Sequence, residues 1–270
     1  MSEQTTSKSR IGFHYFQDTI HYTSKDLGTW LPRLKDLSAG WVILQADSSR
    51  AIPETFISSL IGSGITPIIH MALPLPNTPD ARDLKTILEA YSRWGVKHVI
   101  LFDKPNLVQS WSLSSWSQEE LVERFVDRFL PVALQVSQLK MIPVFPPLHP
   151  GGDYWDLIFL KQALASIVRR GRENLINHMA FCAYAYTFEH ELTWGSGAQS
   201  RWTEAKPYEI SENTQDQRGF NQYEWMNTIV RSFTRIDAAF FLLGAGAIDN
   251  KRYYTPEEHA EVIQRILDRL

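Results

Sequence analysis

Apolar and polar positions along the chain fall into two alternating rhythms. Seven short apolar runs recur: "RIGFHYF" (10–16), "WVILQAD" (41–47), "TPIIHMAL" (66–73), "KHVILFD" (97–103), "KMIPVF" (140–145), "MAFCAYAY" (179–186) and "AAFFLLG" (238–244). They are continuous rather than alternating, the pattern of strands covered on both faces. Between them the spacing predicts helices at 31–37, 53–61, 80–94, 118–136, 154–169 and 220–233. A last helix closes the chain in "TPEEHAEVIQRILDRL". Thr255 caps it, Pro256 takes its first position and Glu258 completes a capping box. Val262, Ile263, Ile266, Leu267 and Leu270 then line one face.

Strict βα alternation without a shift in composition predicts an α/β fold, a TIM (βα)8-like barrel over residues 10–270, preceded by a disordered polar tail at 1–9. The clear βα units number seven. Either "KPYEISE" (206–212) supplies an eighth strand, or 187–218 is one long loop and the barrel ends a strand short. A short barrel leaves edges beside "RIGFHYF" and "AAFFLLG", which predicts a homodimer or a partner polypeptide over the gap.

Composition narrows the function. At 270 residues, 44% apolar and 12% aromatic, the chain can bury a large core. A net charge of −3 and the lack of any Lys/Arg run exclude a nucleic-acid footprint. The single cysteine, Cys182, excludes an intramolecular disulfide framework and CxxC zinc sites. The polar start "MSEQTTSKSR" lacks a signal-peptide core, and no run approaches the ~20 apolar residues of a membrane span. A cytoplasmic protein with no membrane partner and no cofactor is expected.

Barrels of this kind place their chemistry at the C-terminal ends of the strands. That rule selects His14, Gln17 and Asp18; Gln45, Asp47 and Arg50; His70; Asp103, Lys104 and Asn106. It continues with His149, Asp153 and Trp155, then Tyr184, Tyr186, Glu189, His190 and Trp194. Trp111, Trp116, Trp155, Trp194 and Trp202 fall in or beside these loops, where aromatic faces suit sugar rings; packing of the loops themselves is the plainer use of each. Asp153 has two readings, a pocket group or the cap of the following helix. His14, His70, His149, Asp47 and Asp103 are metal-ligand types, but no HxH or HExxH spacing joins them, so no metal is expected. "GAGA" (244–247) is a weak phosphate-loop candidate.

Four segments carry a family resemblance: "HVILFDKPNLVQSW", "SRAIPETFISSLIGSGITPIIHM", "AYAYTFEHELTWG" and "AAFFLLGAGA". They resemble, in degenerate form, the retaining glycoside hydrolases with a (βα)8 barrel and an Asn-Glu-Pro motif after the fourth strand. The resemblance favours the barrel that ends a strand short. It also implies an acid/base glutamate where this chain has Lys104, an asparagine where it has Asp103, and a nucleophilic glutamate at Gly244 or Ala245. Retaining hydrolysis needs two carboxyl groups about 5 to 5.5 Å apart. A lysine, with an unperturbed pKa of about 10.4, cannot stand in for the acid.

The expectation is therefore a glycoside-hydrolase-like barrel without its catalytic carboxylates, binding a carbohydrate or another polar small molecule. His14, Gln45, Asp47, His70, Asp103, Lys104, Asn106, Trp111, His149, Tyr184, Tyr186 and Trp194 are the candidate ligand-binding groups. An active O-glycosyl hydrolase with relocated carboxylates, Asp103 and Glu212, is the alternative, with Lys104 as the remaining catalytic candidate. A protein-interaction scaffold is the third reading.

Overall fold

A computed structural model describes residues 9–188, 190–197, 218–234, 236–246 and 254–269. Strands and helices alternate as β1 (Gly12–His14), α1 (Ser24–Asp36), β2 (Trp41–Gln45), α2 (Glu54–Gly62), β3 (Thr66–Met71), α3 (Ala81–Arg93) and β4 (His98–Leu101). There follow α4 (Leu113–Trp116), α5 (Leu121–Gln138), β5 (Ile142–Phe145), α6 (Asp156–Arg169), α7 (Glu173–Ile176) and β6 (Ala180–Tyr186). Helix α8 (Gln222–Arg231), β7 (Ala239–Gly246) and α9 (Pro256–Leu267) complete the series. The strands lie in one sheet in chain order β1 to β7, and each described pairing is parallel. This is the α/β class that the seven apolar runs predict. The candidate strand 206–212, with Glu212, and also Glu189 and Trp202, lie outside the described residues.

Two compact units divide the chain: Met1–Phe102 with Pro131–Val144, and Asp103–Leu130 with Phe145–Leu270. In the first, the register sets Ile43 beside Ile68, Ile69 beside Val99 and Ile100 beside Val144. All six are buried to within 1% of full burial, because β-branched side chains fill a pleated surface covered on both faces. Helix α1 begins seven residues before the predicted segment. A capping box between Thr23 and Asp26 starts it, a local signal that outweighs the sparse apolar residues of its first two turns.

In the second unit, Phe125 and Phe129 of α5, Phe145 of β5 and Phe159 of α6 interlock. Phe125 lies 5.5 Å from Phe129, 5.8 Å from Phe145 and 5.2 Å from Phe159, centroid to centroid. All four are fully buried, each contributing about 1.5–3 kcal/mol of transfer free energy. On β6 the side chains alternate. Ala185 joins Leu192, Phe220 and Ile266 in one cluster, which leaves Cys182, Tyr184 and Tyr186 on the opposite face. Helix α9 has the predicted capping box, with Thr255 and Glu258 each bonding the other's backbone N–H. Among the described residues, no helix is long and apolar enough to cross a membrane.

Candidate functional site

The segment after β4 is held in an uncommon conformation. Phe102 and Lys104, on either side of Asp103, have φ of +65° and +41°, the left-handed region that costs a non-glycine residue of order 1–3 kcal/mol. Hydrogen bonds fix both: the Phe102 N–H donates to Met71 O at 2.8 Å and the Lys104 N–H to Pro147 O at 3.0 Å. Strain tolerated twice in three residues marks the place where the chain aims Asp103 and Lys104.

These two side chains meet Tyr184 and Tyr186. The Lys104 Nζ lies 3.6 Å from Asp103 Oδ2 and 5.2 Å from the centre of the Tyr184 ring, a cation over a π face. Tyr184 and Tyr186, two residues apart on one face of β6, stack at 5.4 Å with an 11° interplanar angle. Burial and then the Asp103 carboxylate push the Tyr184 phenol well above its ordinary value, and the same two causes raise Tyr186. Asp103 Oδ1 is shut off from solvent and, among the described residues, has no hydrogen-bond partner, while the side chain as a whole remains 36% exposed. His149, on the loop after β5, completes the group. Burial, then the Lys104 charge, holds its imidazole below the usual histidine range, with Arg218 acting the same way and Asp153 and Asp103 opposing.

Other polar residues here are committed to structure. Asn106 is fully buried and uses its amide completely: Nδ2 donates to His149 O at 2.8 Å and Tyr154 O at 3.0 Å, and Oδ1 accepts the His149 N–H at 2.8 Å. It clamps the loop after β4 to the loop after β5, and Gly152 is what makes room for it. A Cβ at Gly152 would come within 2.5 Å of Asn106 Nδ2. Asp153 does not cap α6; its Oδ2 accepts the Val108 N–H at 2.8 Å, while the position before α6 is Trp155, without a side-chain cap. Asp156, which no sequence motif marked, is fully buried. It accepts from the Gly151 N–H at 3.2 Å and from Gln222 Nε2 of α8. Burial raises its pKa from 3.8 to about 6.

At the ends of β2 and β3 the first unit shows a different arrangement. The buried His70 bonds Phe102 O through Nε2 at 2.9 Å and Gln45 Nε2 through Nδ1 at 3.1 Å. A carbonyl only accepts and the amide nitrogen only donates, so this network assigns the neutral Nε2–H tautomer. Asp47 Oδ1 closes a turn on the Ser49 N–H and hydroxyl, both at 2.6 Å, and these bonds lower its pKa. Tyr22, missed in the sequence, donates to Gln45 O at 2.6 Å. A small cavity of about 210 Å³ lies against Tyr22, Gln45, Asp47 and Arg50. His14 ends β1 on the exposed side. Asp18, at the same end, pairs with His21 at 2.8 Å.

The tryptophans separate by role. Trp111 is buried, donates its indole N–H to Pro105 O at 2.8 Å and carries Arg124 and Arg128 over its ring. It therefore offers no stacking face. Trp194 stacks on His190 at 4.3 Å. Trp116 lines a larger groove of about 720 Å³ with Tyr154, Gln162, Glu123 and Arg169, on the helical side of the second unit. There Ser166 and Arg170 bond Glu123 at 2.7 and 2.9 Å.

The position where the resemblance places a nucleophile is closed by packing. A bulge separates Leu243 from Ala245 in the β6/β7 register, and Gly244 occupies it with φ +69°. A Cβ at Gly244 would lie 2.7 Å from the Tyr186 hydroxyl and 2.9 Å from its ring carbons. Among the described residues, no group of three or more His, Cys, Asp or Glu could hold a metal ion.

No protein-family model and no curated protein matches the sequence. Solved structures do. A sugar phosphate isomerase/epimerase from Parabacteroides distasonis is 11% identical with a TM-score of 0.44, over 89% of this chain and 88% of that one. CelM2, a bifunctional glucanase-xylanase from a metagenome library, is 12% identical with a TM-score of 0.48, over 86% of this chain and 65% of its own. An AP endonuclease of family 2 from Brucella melitensis is 11% identical with a TM-score of 0.42, over 87% and 92%.

Proposed function

We propose that this protein binds a carbohydrate or polyol through Asp103, Lys104, His149, Tyr184 and Tyr186, and does not hydrolyse glycosides. The observation that carries the reading is the Asp103–Lys104 pair. Its two charges stand half-exposed at a strand end, on strained backbone, beside two stacked tyrosines. A carboxylate and an ammonium side by side can accept from one hydroxyl and donate to the next, and the vicinal diol of a sugar presents that pair.

Hydrolysis is set against by the chemistry of the same residues. Among the described residues Asp103 is the one acid that acts on both tyrosines, Lys104 stands where the resemblance puts the proton donor, and Gly244 admits no side chain while Tyr186 keeps its place. Glu212, the candidate second carboxylate, lies outside the described residues.

Titration of the purified chain with monosaccharides and oligosaccharides, followed by tryptophan fluorescence and calorimetry, tests the reading alongside product release from aryl glycosides. Saturable binding without turnover, weakened about tenfold or more by Asp103→Ala, is expected. Turnover that disappears in Asp103→Asn or Glu212→Gln would replace it with the hydrolase reading. Silence in every channel would favour a scaffold, which light scattering would then test by its predicted homodimer.

A further inference from the structure

Two tryptophans on the segment between β4 and α5 are used differently. Trp111 is buried beneath the guanidinium groups of Arg124 and Arg128, 5.3 and 5.5 Å from its ring centre, and its indole N–H is bonded to Pro105 O. Trp116 is half-buried and lines the groove of about 720 Å³. Among the described residues it has no cation or second ring against its face and no acceptor for its indole N–H. The turn that carries it is nevertheless built. Arg124 donates to Ser115 Oγ at 3.1 Å, Gln118 O at 2.9 Å and Glu119 O at 3.0 Å. Glu120, also on the groove, has φ +57°, a conformation that a non-glycine residue keeps only where its surroundings impose it.

The charges along the groove are unevenly matched. Glu120, Glu123, Asp153 and Arg169 line it. Glu123 is held by Arg169, Arg170 and Ser166. Asp153 has one oxygen on the Val108 N–H, and among the described residues neither it nor Glu120 has a cation within ion-pair distance. The remaining contacts are apolar, from Leu121, Val122 and Ala165, or polar and neutral, from Gln162 and the Tyr154 that donates to it at 2.6 Å.

We infer that this groove docks an arginine-bearing peptide segment of a partner protein, its guanidinium stacked on Trp116 and its charge offset by Glu120 and Asp153. A guanidinium is the cation that fits, being flat enough to lie on an aromatic face while its fixed fork of donors meets a carboxylate. Arg124 over Trp111 is the same contact made inside the chain. A peptide fits better than a free amine, because the groove is larger than one side chain and Leu113, three residues before Trp116 on α4, is 78% exposed. An apolar residue beside the arginine would cover it. The groove shares none of these residues with the Asp103–Lys104 pair, so the inference stands or falls without the carbohydrate reading.

Fluorescence polarisation of a labelled hexapeptide, one leucine and two arginines among alanines, titrated with the whole protein tests the inference. The same peptide with citrulline for arginine keeps the shape and removes the charge. The arginine peptide should bind saturably and the citrulline peptide about tenfold or more weakly, with a gap that narrows as salt screens it. Trp116→Ala should weaken the arginine peptide about tenfold, and Glu120→Gln should weaken it while leaving the citrulline peptide unchanged. If the alanine variant fails to fold, the Glu120→Gln variant and the citrulline control still decide the matter. Equal affinity for the two peptides, or an affinity indifferent to both substitutions, would overturn the inference. So would the absence of any binding by the arginine peptide, or an oligosaccharide whose binding is lost in Trp116→Ala, which would assign the groove to a sugar.

Discussion

The strand ends of the two units carry similar residue types and use them in opposite ways. Behind β2 and β3, His70, Gln45, Tyr22 and Asp47 are consumed by one another and by backbone carbonyls and N–H groups. After β4, Lys104 pairs with the Asp103 carboxylate over the Tyr184 ring, and among the described residues Asp103 Oδ1 has no hydrogen-bond donor. A polar group at a strand end is thus not evidence for a ligand until its partners are counted. Groups that are already paired stabilise the fold. A buried acceptor atom left without a donor, on strained backbone, lowers the stability of the fold.

Mutation should separate the two kinds, with the largest effect at a committed residue. Asn106→Ala removes three hydrogen bonds inside a fully buried clamp; the His149 N–H and the Tyr154 carbonyl lose the bond to Asn106, while His149 O keeps the Gly152 N–H. A loss of roughly 3–5 kcal/mol is expected in urea unfolding. Asp103→Ala, by contrast, should change stability by less than about 1 kcal/mol, as for a partly exposed ion pair. Equal losses in the two variants would break the comparison.

Asp156 gives a pH-dependent version of the same test. Its folded pKa of about 6 lies above the ordinary 3.8 because burial disfavours the ion. The protonated form is the one the fold prefers, so this group's contribution is fully present below pH 3.8. It is lost as pH rises through about 6, amounting to roughly 3 kcal/mol by pH 7. Asp156→Asn should flatten the stability profile between pH 4 and 7. Among the described residues the Gln222 Oε1 has no partner, so it can accept from the new Asn side chain after that side chain rotates its amide N–H toward it. A profile unchanged in the variant would assign the dependence elsewhere.

Smaller effects sharpen the picture around the tyrosines. Gly244→Ala places a methyl 2.7–2.9 Å from Tyr186 at φ +69°. It should cost about 1–3 kcal/mol and, by displacing Tyr186, weaken ligand binding more than it weakens the fold. The smallest expected change is electrostatic. In Lys104→Gln the His149 pKa should move upward, because the Lys104 charge is the foremost charge depressing it after burial. Imidazole proton shifts followed by NMR would show it, and a downward move would mean that Lys104 does not act on His149.

Much of the fold was legible in the sequence, and the reason is local. Each of the seven strands lies within, or within two residues of, its apolar run, because residues buried on both faces must be apolar without a break. Caps at Thr255 and Glu258 were legible for the same reason, being contacts across three residues. The candidate site was half legible. Position after a strand pointed to Asp103, Lys104, His149, Tyr184 and Tyr186, and equally to Asn106 and Trp111, which the structure buries with their N–H groups bonded to backbone carbonyls. Nothing in the sequence distinguished them, since whether an amide or an indole is spent depends on partners up to 48 positions away.

By itself, then, the sequence determined the class of fold, the order of its elements and the residues that reach the strand ends. Only the tertiary structure decided which of those residues are free to act. It tied His70 and Asn106 to backbone groups, closed Gly244 against Tyr186 and, among the described residues, left Asp103 Oδ1 without a hydrogen-bond partner. The physical reason is range. Hydrophobic periodicity is written over neighbouring residues, whereas the satisfaction of a polar group is settled by whichever distant segment the fold brings to within 3 Å of it.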